Sequence, residues 1–368
     1  MPFVQSSPIL PVELLHQILS YASRGTLASV CRTSKTLHRI ASPFLWKHLI
    51  LGPWKVDEDG KVVRDDKNKE ILDKNKEDCG AIMSSRGEGR TKGNLVETFS
   101  LYHHSFDWCQ SNDQMTLRMP NVHTLHLYLN DKDQIHDDYD GHRCGLLRAV
   151  QPKIIVWHNA CINVLDCWTI GPKRLYEETQ TFLFISTGHQ AEKCRFYPRL
   201  YRYEFTTLED IYWLFEPRIL DSQAKSESFV RGSFALQNFI RNIVELAIEF
   251  HQTRITFVNS GVIRSFHKDW KDEPYKTFEQ RVARDVKKEL ERQLKQSRHR
   301  SKEKKKQRLD SIHFMDLDEF MAKEERWRYL DARQVRKWKK VFSPFGTGHE
   351  IGGGADVVDD GDQVDQLL

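Results

Sequence analysis

Histidine and cysteine are the side chains in this chain that could bind a metal ion or act as nucleophiles. The sequence holds 16 histidines and seven cysteines. His123 and His126 are three residues apart in a strand-like run, where side chains alternate between faces, so they should point in opposite directions. Cys161 and Cys167 are too far apart for one zinc-binding turn and lack a second pair. We therefore expect no metal site and no cofactor.

Motifs of the common enzyme classes do not occur in the sequence. It contains no P-loop, no G-x-S-x-G turn and no H-E-x-x-H zinc motif. No local feature favours the thiolate form of any cysteine, although a cysteine and a histidine that meet in the fold stay an open alternative. We expect a protein without catalytic activity of its own.

The composition indicates a reduced intracellular protein. Of the 368 residues, 39% are hydrophobic and 29% are charged, and the mean hydropathy is -0.61. The cysteines form no C-x-x-C pair and no N-x-[ST] acceptor is present, so we expect free thiols in the cytoplasm and/or the nucleus. Neither a signal-peptide pattern nor an apolar run of about 18 residues occurs, so we expect no membrane association.

The best-patterned stretch runs from Leu10 to Leu49 and predicts three short helices. Pro11 suits the start of the first helix, because its missing N–H costs nothing there. Glu13 places a negative charge at the positive end of the helix dipole. Apolar residues then recur three and four positions apart, on one helix face: Leu14, Leu15, Ile18 and Leu19.

Two more helices follow in the same stretch. Ser23-Arg24-Gly25 ends the first helix, and Thr26 is the predicted cap of the second. A third helical run contains Pro43, which should kink or restart it. A unit this small needs a disulfide, a metal or a partner to be stable. Because Cys31 is its only cysteine and its apolar residues exceed the needs of one small core, we expect it to bind a partner.

This stretch resembles the F-box, a three-helix module that docks on the small adaptor subunit of cullin–RING ubiquitin ligases. The resemblance rests on Leu-Pro-x-Glu-Leu-Leu from Leu10, Val-Cys-Arg from Val30 and Leu-Trp from Leu45. Ser34-Lys35-Thr36 departs from the family, many members of which carry an aromatic residue there. The resemblance implies adaptor contacts by nine residues: Leu10, Pro11, Leu14, Leu15, Ile18, Val30, Cys31, Leu45 and Trp46.

Short strand-like runs begin near residue 95, after a charged, glycine-rich stretch that predicts a disordered linker or insertion. Three runs fit, fully or in part, the L-x-x-L-x-L-x-x-N spacing of leucine-rich repeats, and their last positions are 26 and 29 residues apart. The runs are Val96, Phe99, Leu101 and His104; Val122, Leu125, Leu127 and Asn130; and Gln151, Ile154, Val156 and Asn159. A generic α/β domain with strands at similar intervals is the alternative.

Further elements continue this pattern. Gly145 to Val150 predicts a return helix, Thr181 to Ile185 a further strand, and Phe234 to Phe250 a helix that leads into a strand at Arg254 to Val258. Asp316 to Phe342 predicts another helix, and the glycine- and aspartate-rich end predicts disorder.

A basic cluster lies at the end of a polar, mostly helical stretch. The cluster consists of Lys302, Lys304, Lys305, Lys306 and Arg308. It has three interpretations: a solvated helix end, a nuclear-import signal, or a surface for non-specific phosphate binding. No aromatic residues are interleaved for base stacking, which disfavours nucleic acid as the partner.

Together these features predict a chain of mixed α+β and α/β class. Its expected segments are an F-box-like helical module at 6–50, a charged linker at 51–94, an irregular leucine-rich-repeat-like α/β domain at 95–275, a charged helical region at 276–342 and a disordered tail at 343–368. We expect a substrate-recognition adaptor of an F-box-type cullin–RING ubiquitin ligase, joined to cullin through the small adaptor subunit and bound to a protein substrate that the sequence does not identify. The alternative is a nuclear nucleic-acid-associated or scaffold protein that uses a basic 287–308 helix.

Overall fold

A computed structural model of the chain describes residues 10–52, 92–104, 118–128, 144–158, 173–186, 205–216, 236–266, 273–296 and 301–322, together with Leu330 and Trp338. Most of the predicted linker and all of the predicted tail at 343–368 lie outside these residues. No helix within the described ranges combines the length and the apolar composition needed to cross a membrane.

Three helices come first: α1 (Val12–Ser20), α2 (Arg24–Thr33) and α3 (Lys35–Trp46). We call them the helical module. They pack around a small core of Leu19, Leu27 and Ala41. The carbonyl oxygen of Pro11, one residue before α1, accepts a hydrogen bond from the Leu15 N–H at 3.1 Å. Pro11 thereby begins the helix without needing a donor of its own.

Serine hydroxyls cap the second and third helices. Ser23 Oγ accepts the Thr26 N–H at 3.2 Å, and Ser34 Oγ accepts the Leu37 N–H at 3.1 Å. The predicted cap at Thr26 is wrong: Ser23, whose backbone is extended, is the cap, and α2 already begins at Arg24. Helix α3 continues through Pro43, so the predicted restart does not occur, and the predicted kink stays a prediction.

In the part of the chain that the structure describes, eight parallel strands form one sheet and follow one another in chain order. They are β1 (His48–Leu51), β2 (Thr98–Tyr102), β3 (Thr124–Tyr128), β4 (Ile154–His158), β5 (Thr181–Ser186), β6 (Asp210–Phe215), β7 (Arg254–Val258) and β8 (Ile312–Met315). Strand β1 begins directly after α3, so the helical module leads straight into the sheet.

Helices and short 3₁₀ segments connect the strands. The α-helices are α4 (Gly145–Arg148), α5 (Leu236–Glu249), α6 (Tyr275–Gln296), α7 (Lys302–Asp310) and α8 (Leu317–Ala322), and the 3₁₀ segments are Lys173–Tyr176 and Ser260–Phe266. The predicted fold class, with amino-terminal helices before a parallel α/β sheet, is confirmed.

Residues that pair across neighbouring strands recur at an almost constant interval along the chain. From β2 to β6, one such row of paired residues consists of Thr98, Thr124, Ile154, Thr181 and Asp210, which are 26, 30, 27 and 29 residues apart. A chain that adds one parallel strand per step has the architecture of a repeat protein. The assignment to leucine-rich repeats itself stays a prediction.

The third predicted repeat is wrong by one residue. Ile155 and Trp157 pair with Leu125 and Leu127 and enter the same core, whereas Val156 lies on the opposite face of the sheet. Strand β4 carries apolar side chains on both faces. The alternating pattern of a leucine-rich repeat therefore fits its sequence equally well when it is shifted by one residue.

The larger core lies between one face of the sheet and helices α5 and α6. Helix α6 contributes an apolar residue every fourth position: Phe278, Val282, Val286, Leu290 and Leu294. Strand β8 then pairs with β7. The sheet and its core therefore extend beyond the boundary predicted at residue 276.

Candidate partner-binding surfaces

An apolar row lies exposed along α1. Leu14, Ile18 and Tyr21 follow one another at helical spacing and are 45%, 55% and 86% exposed. Leu10 and Val12 are also exposed, but Val12 is two residues from Leu14 and therefore lies on another side of the helix. The other side of α1 buries Leu19 against α2 and α3. The helix thus has a core side and a second apolar side, a feature that marks interaction sites in soluble proteins. We call Leu14, Ile18 and Tyr21 the apolar row.

The structure separates the predicted adaptor-contacting residues into two groups. Leu10, Pro11, Leu14 and Ile18 are exposed, whereas Leu15, Val30, Cys31, Leu45 and Trp46 are half-buried. Of the second group, Val30, Cys31 and Leu45 pack against the core of the helical module, and Trp46 packs against the core of the sheet. Adaptor contact by these nine residues stays a prediction. Val12 and Tyr21 are exposed but are not among the nine predicted residues, although Tyr21 continues the spacing of Leu14 and Ile18 by one turn.

The helical module is joined to the sheet by polar contacts. The Arg24 guanidinium donates to the His48 carbonyl oxygen at 2.6 Å. The exposed side chains of Lys47 and Glu97 form an ion pair at 3.1 Å. Trp46 lies under the Lys92 ammonium group, which is 4.8 Å from the ring centroid. These contacts fix the apolar row relative to the strands.

One half of the second sheet face, opposite α5 and α6, carries stacked rings. The rings of Tyr102 and Tyr128 are 4.0 Å apart, and those of Tyr128 and His158 are 3.9 Å apart. His126 Nδ1 lies 3.0 Å from His158 Nε2. Burial lowers the pKa of His158 to about 3. Burial, and then the neighbouring His158 and His48, hold the pKa of His126 well below its usual value. Both imidazoles are therefore neutral at pH 7, and one donates its N–H to the other.

The other half of that face is covered by the carboxy-terminal part of the chain. Leu317 and Phe320 of α8, together with Leu330 and Trp338, are buried in this second core. They cover the apolar side chains that strands β4 to β8 carry on this face, from Val156 in β4 to Met315 in β8. The Trp338 indole N–H donates to a Glu216 carboxylate oxygen at 3.0 Å.

A histidine and a cysteine do meet in the fold, as the sequence left open. Cys144 Sγ lies 3.8 Å from His104 Nε2, and His104 Nδ1 lies 2.8 Å from the Tyr102 carbonyl oxygen. Both side chains are 0% exposed. A nucleophile must reach a substrate, so this pair is part of the core. Within the described ranges, no three histidine, cysteine or acidic side chains group as metal ligands.

The basic segment consists of two helices, α6 and α7, and so differs from the predicted single 287–308 helix. On α6, Arg292 pairs with Glu289 at 2.5 Å and Lys295 with Glu291 at 2.8 Å. On α7, Arg308 is only 2% exposed. An import receptor or a phosphate could reach Lys302, Lys304, Lys305 and Lys306 but not Arg308. The import signal stays a prediction that concerns the four lysines.

Comparison with known proteins bears on the first part of the chain. Residues 8–52 match the F-box-like family model. The matched range contains α1, α2, α3 and β1, and therefore the whole apolar row. The predicted resemblance of this stretch to the F-box is confirmed. No curated protein matches the chain.

Proposed function

We propose that this chain is the substrate-recognition subunit of an F-box-type cullin–RING ubiquitin ligase. One observation carries the proposal: the apolar row is exposed on α1, inside the range that matches the F-box-like model. A match of this kind supports a general role as an adaptor in ubiquitin ligases of this type, and F-box proteins are in general non-catalytic subunits. The proposal places the protein in the cytoplasm and/or the nucleus.

In this mechanism α1 lays its apolar row into a hydrophobic groove of the small adaptor subunit. Leu14 and Ile18 are about half exposed, so burying the rest of either side chain contributes about 1 kcal/mol. The adaptor then joins the chain to cullin, and other subunits transfer ubiquitin to a lysine of the substrate. This chain contributes proximity, because it raises the effective concentration of substrate at the ligase.

The sheet domain presents the substrate in this proposal. One feature supports that role. The polar contacts at Arg24 and Lys47 hold the sheet in a fixed position beside the module.

The test is co-purification of the intact chain with the small adaptor subunit. Leu14→Asp should weaken adaptor binding at least about 100-fold, because a carboxylate would be buried without a partner. Pro11→Ala combined with Leu15→Ala should also abolish binding. Thr36→Asp is the matched control, since it adds the same charge to an exposed position of α3. The proposal fails if Leu14→Asp, folded by circular dichroism, co-purifies with the adaptor at the wild-type level.

A further inference from the structure

A groove with a positively charged lining runs along α3 of the helical module. Its volume is about 790 Å³. Its lining residues are Cys31, Arg32, Ser34, Lys35, His38, Arg39, Ser42, Pro43 and Leu95. Among the described lining residues, arginine and lysine occur three times, and aspartate and glutamate do not occur. We call this feature the basic groove.

The three cations of the basic groove are not neutralised by described carboxylates. Arg32, Lys35 and Arg39 are exposed, and none of them takes part in an ion pair within the described ranges. The Arg32 guanidinium instead donates to Ser29 Oγ at 3.4 Å. Lys35 and Arg39 are four residues apart on α3, so their charges repel each other. A bound anion would relieve that repulsion.

Two neighbouring features add positive potential to the groove. Ser34 caps the amino-terminal end of α3, where the helix dipole places partial positive charge. Lys92 lies near the other wall: burial raises the pKa of the Cys31 thiol, and the charge of Lys92 opposes that rise. The charged side chains among the described lining residues are all basic, and Lys92 adds to their charge.

The groove chemistry fits an acidic peptide better than a nucleic acid. Arginine side chains bind carboxylates with two parallel hydrogen bonds, and Arg32 and Arg39 could each do so. Single-stranded nucleic acids need aromatic rings for base stacking, and the His38 imidazole is the one aromatic ring among the described residues of the lining. The apolar side chains of Pro43 and Leu95 suit the aliphatic parts of a peptide.

We propose that the basic groove binds an acidic, aspartate- and glutamate-rich segment of a protein partner. Its cations Arg32, Lys35 and Arg39 lie on α2 and α3, apart from the apolar row on α1. The proposal goes beyond adaptor docking and does not require it. Partner capture at this groove would place the bound segment beside the first strands of the sheet, because Leu95 lies three residues before the start of β2.

The experiment measures fluorescence anisotropy of a short labelled peptide rich in aspartate and glutamate, titrated with the full chain. A peptide with asparagine and glutamine at the same positions is the neutral comparison. We expect the acidic peptide to bind at least about tenfold more tightly, with an affinity that falls as salt rises. Lys35→Glu combined with Arg39→Glu should abolish binding. A glutamate in the first turn of α3 favours the helix, so this variant should fold.

Two controls make the outcome decisive. Lys304→Glu with Lys306→Glu changes the net charge by the same amount on α7 and should leave peptide affinity unchanged. Lys35→Gln with Arg39→Gln removes the cations without adding carboxylates and should still weaken binding about tenfold. The inference is overturned if the neutral peptide binds equally well, if the acidic peptide does not bind, or if the α7 variant loses as much affinity as the groove variant. Adaptor co-purification of the groove variants, measured in parallel, separates this result from the proposed ligase role.

Discussion

The Nε atom of Arg308 donates a hydrogen bond to the carbonyl oxygen of Ala247 at 2.5 Å, although the two residues are 61 positions apart. A second nitrogen of the same guanidinium donates to the Thr253 carbonyl oxygen at 2.5 Å and to Ser311 Oγ at 2.8 Å. Arg308 thus ties α7 to the carboxyl end of α5 and to the residue before β7. The last turn of α5 gains a donor for a carbonyl oxygen and a positive charge, both of which stabilise a helix end.

Arg308→Ala should lower the free energy of unfolding by about 2–4 kcal/mol. The substitution leaves two buried carbonyl oxygens without their donor, and each such loss costs about 1–3 kcal/mol. Chemical denaturation, monitored by circular dichroism, measures the change. Lys306→Ala is the control, because Lys306 is exposed on the same helix and its loss should cost less than about 0.5 kcal/mol. Equal stability of the two variants would contradict this role of Arg308.

The buried pair His126 and His158 should make the protein less stable in acid. The pKa of His158 is about 3 in the folded chain, against an ordinary 6.5. Below pH 6.5 the unfolded chain binds a proton that the folded chain does not, so stability is full above pH 6.5 and is lost as the pH falls towards 3. At pH 5 the loss from His158 alone is about 2 kcal/mol.

Unfolding free energies measured between pH 7.5 and pH 5 test this expectation. His158→Gln keeps hydrogen-bonding groups but does not titrate, so its stability should fall less steeply with acid than that of the wild type. His123→Gln removes an exposed histidine and should keep the wild-type slope. Parallel pH profiles for the wild type and His158→Gln would show that this histidine is protonated as easily in the folded chain as in the unfolded one.

Substitution by alanine should have opposite effects on the stability of the fold at two glycines. Gly52 has a φ of +104°, and an added Cβ would lie 2.6 Å from the Tyr102 Cβ, so Gly52→Ala should destabilise the fold by about 1–3 kcal/mol. Gly25 lies in α2, where the nearest atom to an added Cβ is Ser23 Oγ at 3.9 Å. Gly25→Ala should stabilise by up to about 1 kcal/mol. Thermal unfolding of both variants shows whether each substitution lowers or raises the stability of the fold.

Local pattern was sufficient to predict the helical module and several later elements. The predicted strand at Thr181 to Ile185 and the predicted helix and strand at Phe234 to Val258 correspond to β5, α5 and β7. Strands β1, β6 and β8 were missed, and the third predicted helix ran on to Leu49, which lies in β1. Strand β6 is apolar at almost every position and shows no alternation, and β8 is four residues long between charged helices. Pairing with β7 determines the position of β8, and that pairing is not local in sequence.

The sites also divide into those that local sequence pattern predicts and those that depend on contacts distant in sequence. The exposed side of α1 could be predicted because helix periodicity places Leu14 and Ile18 on one face. The burial of Arg308 depends on the carbonyl oxygens of Ala247 and Thr253, which a local pattern cannot locate. The pair of His126 and His158 depends on the register of β3 and β4. Each of these contacts joins residues that only the folded sheet brings together.

The register of β4 can be tested with two adjacent isoleucines. Ile155 is 0% exposed and lies in the larger core, whereas Ile154 is half-buried and packs against the second core. Ile155→Ala should therefore cost about 3–4 kcal/mol, because a fully enclosed site cannot relax around the cavity. Ile154→Ala should cost about 1 kcal/mol, since part of the lost surface is already in water. Chemical denaturation of both variants compares the same substitution at neighbouring positions. A larger loss at Ile154 would mean that β4 is shifted by one residue and that the repeat template was right in its original phase.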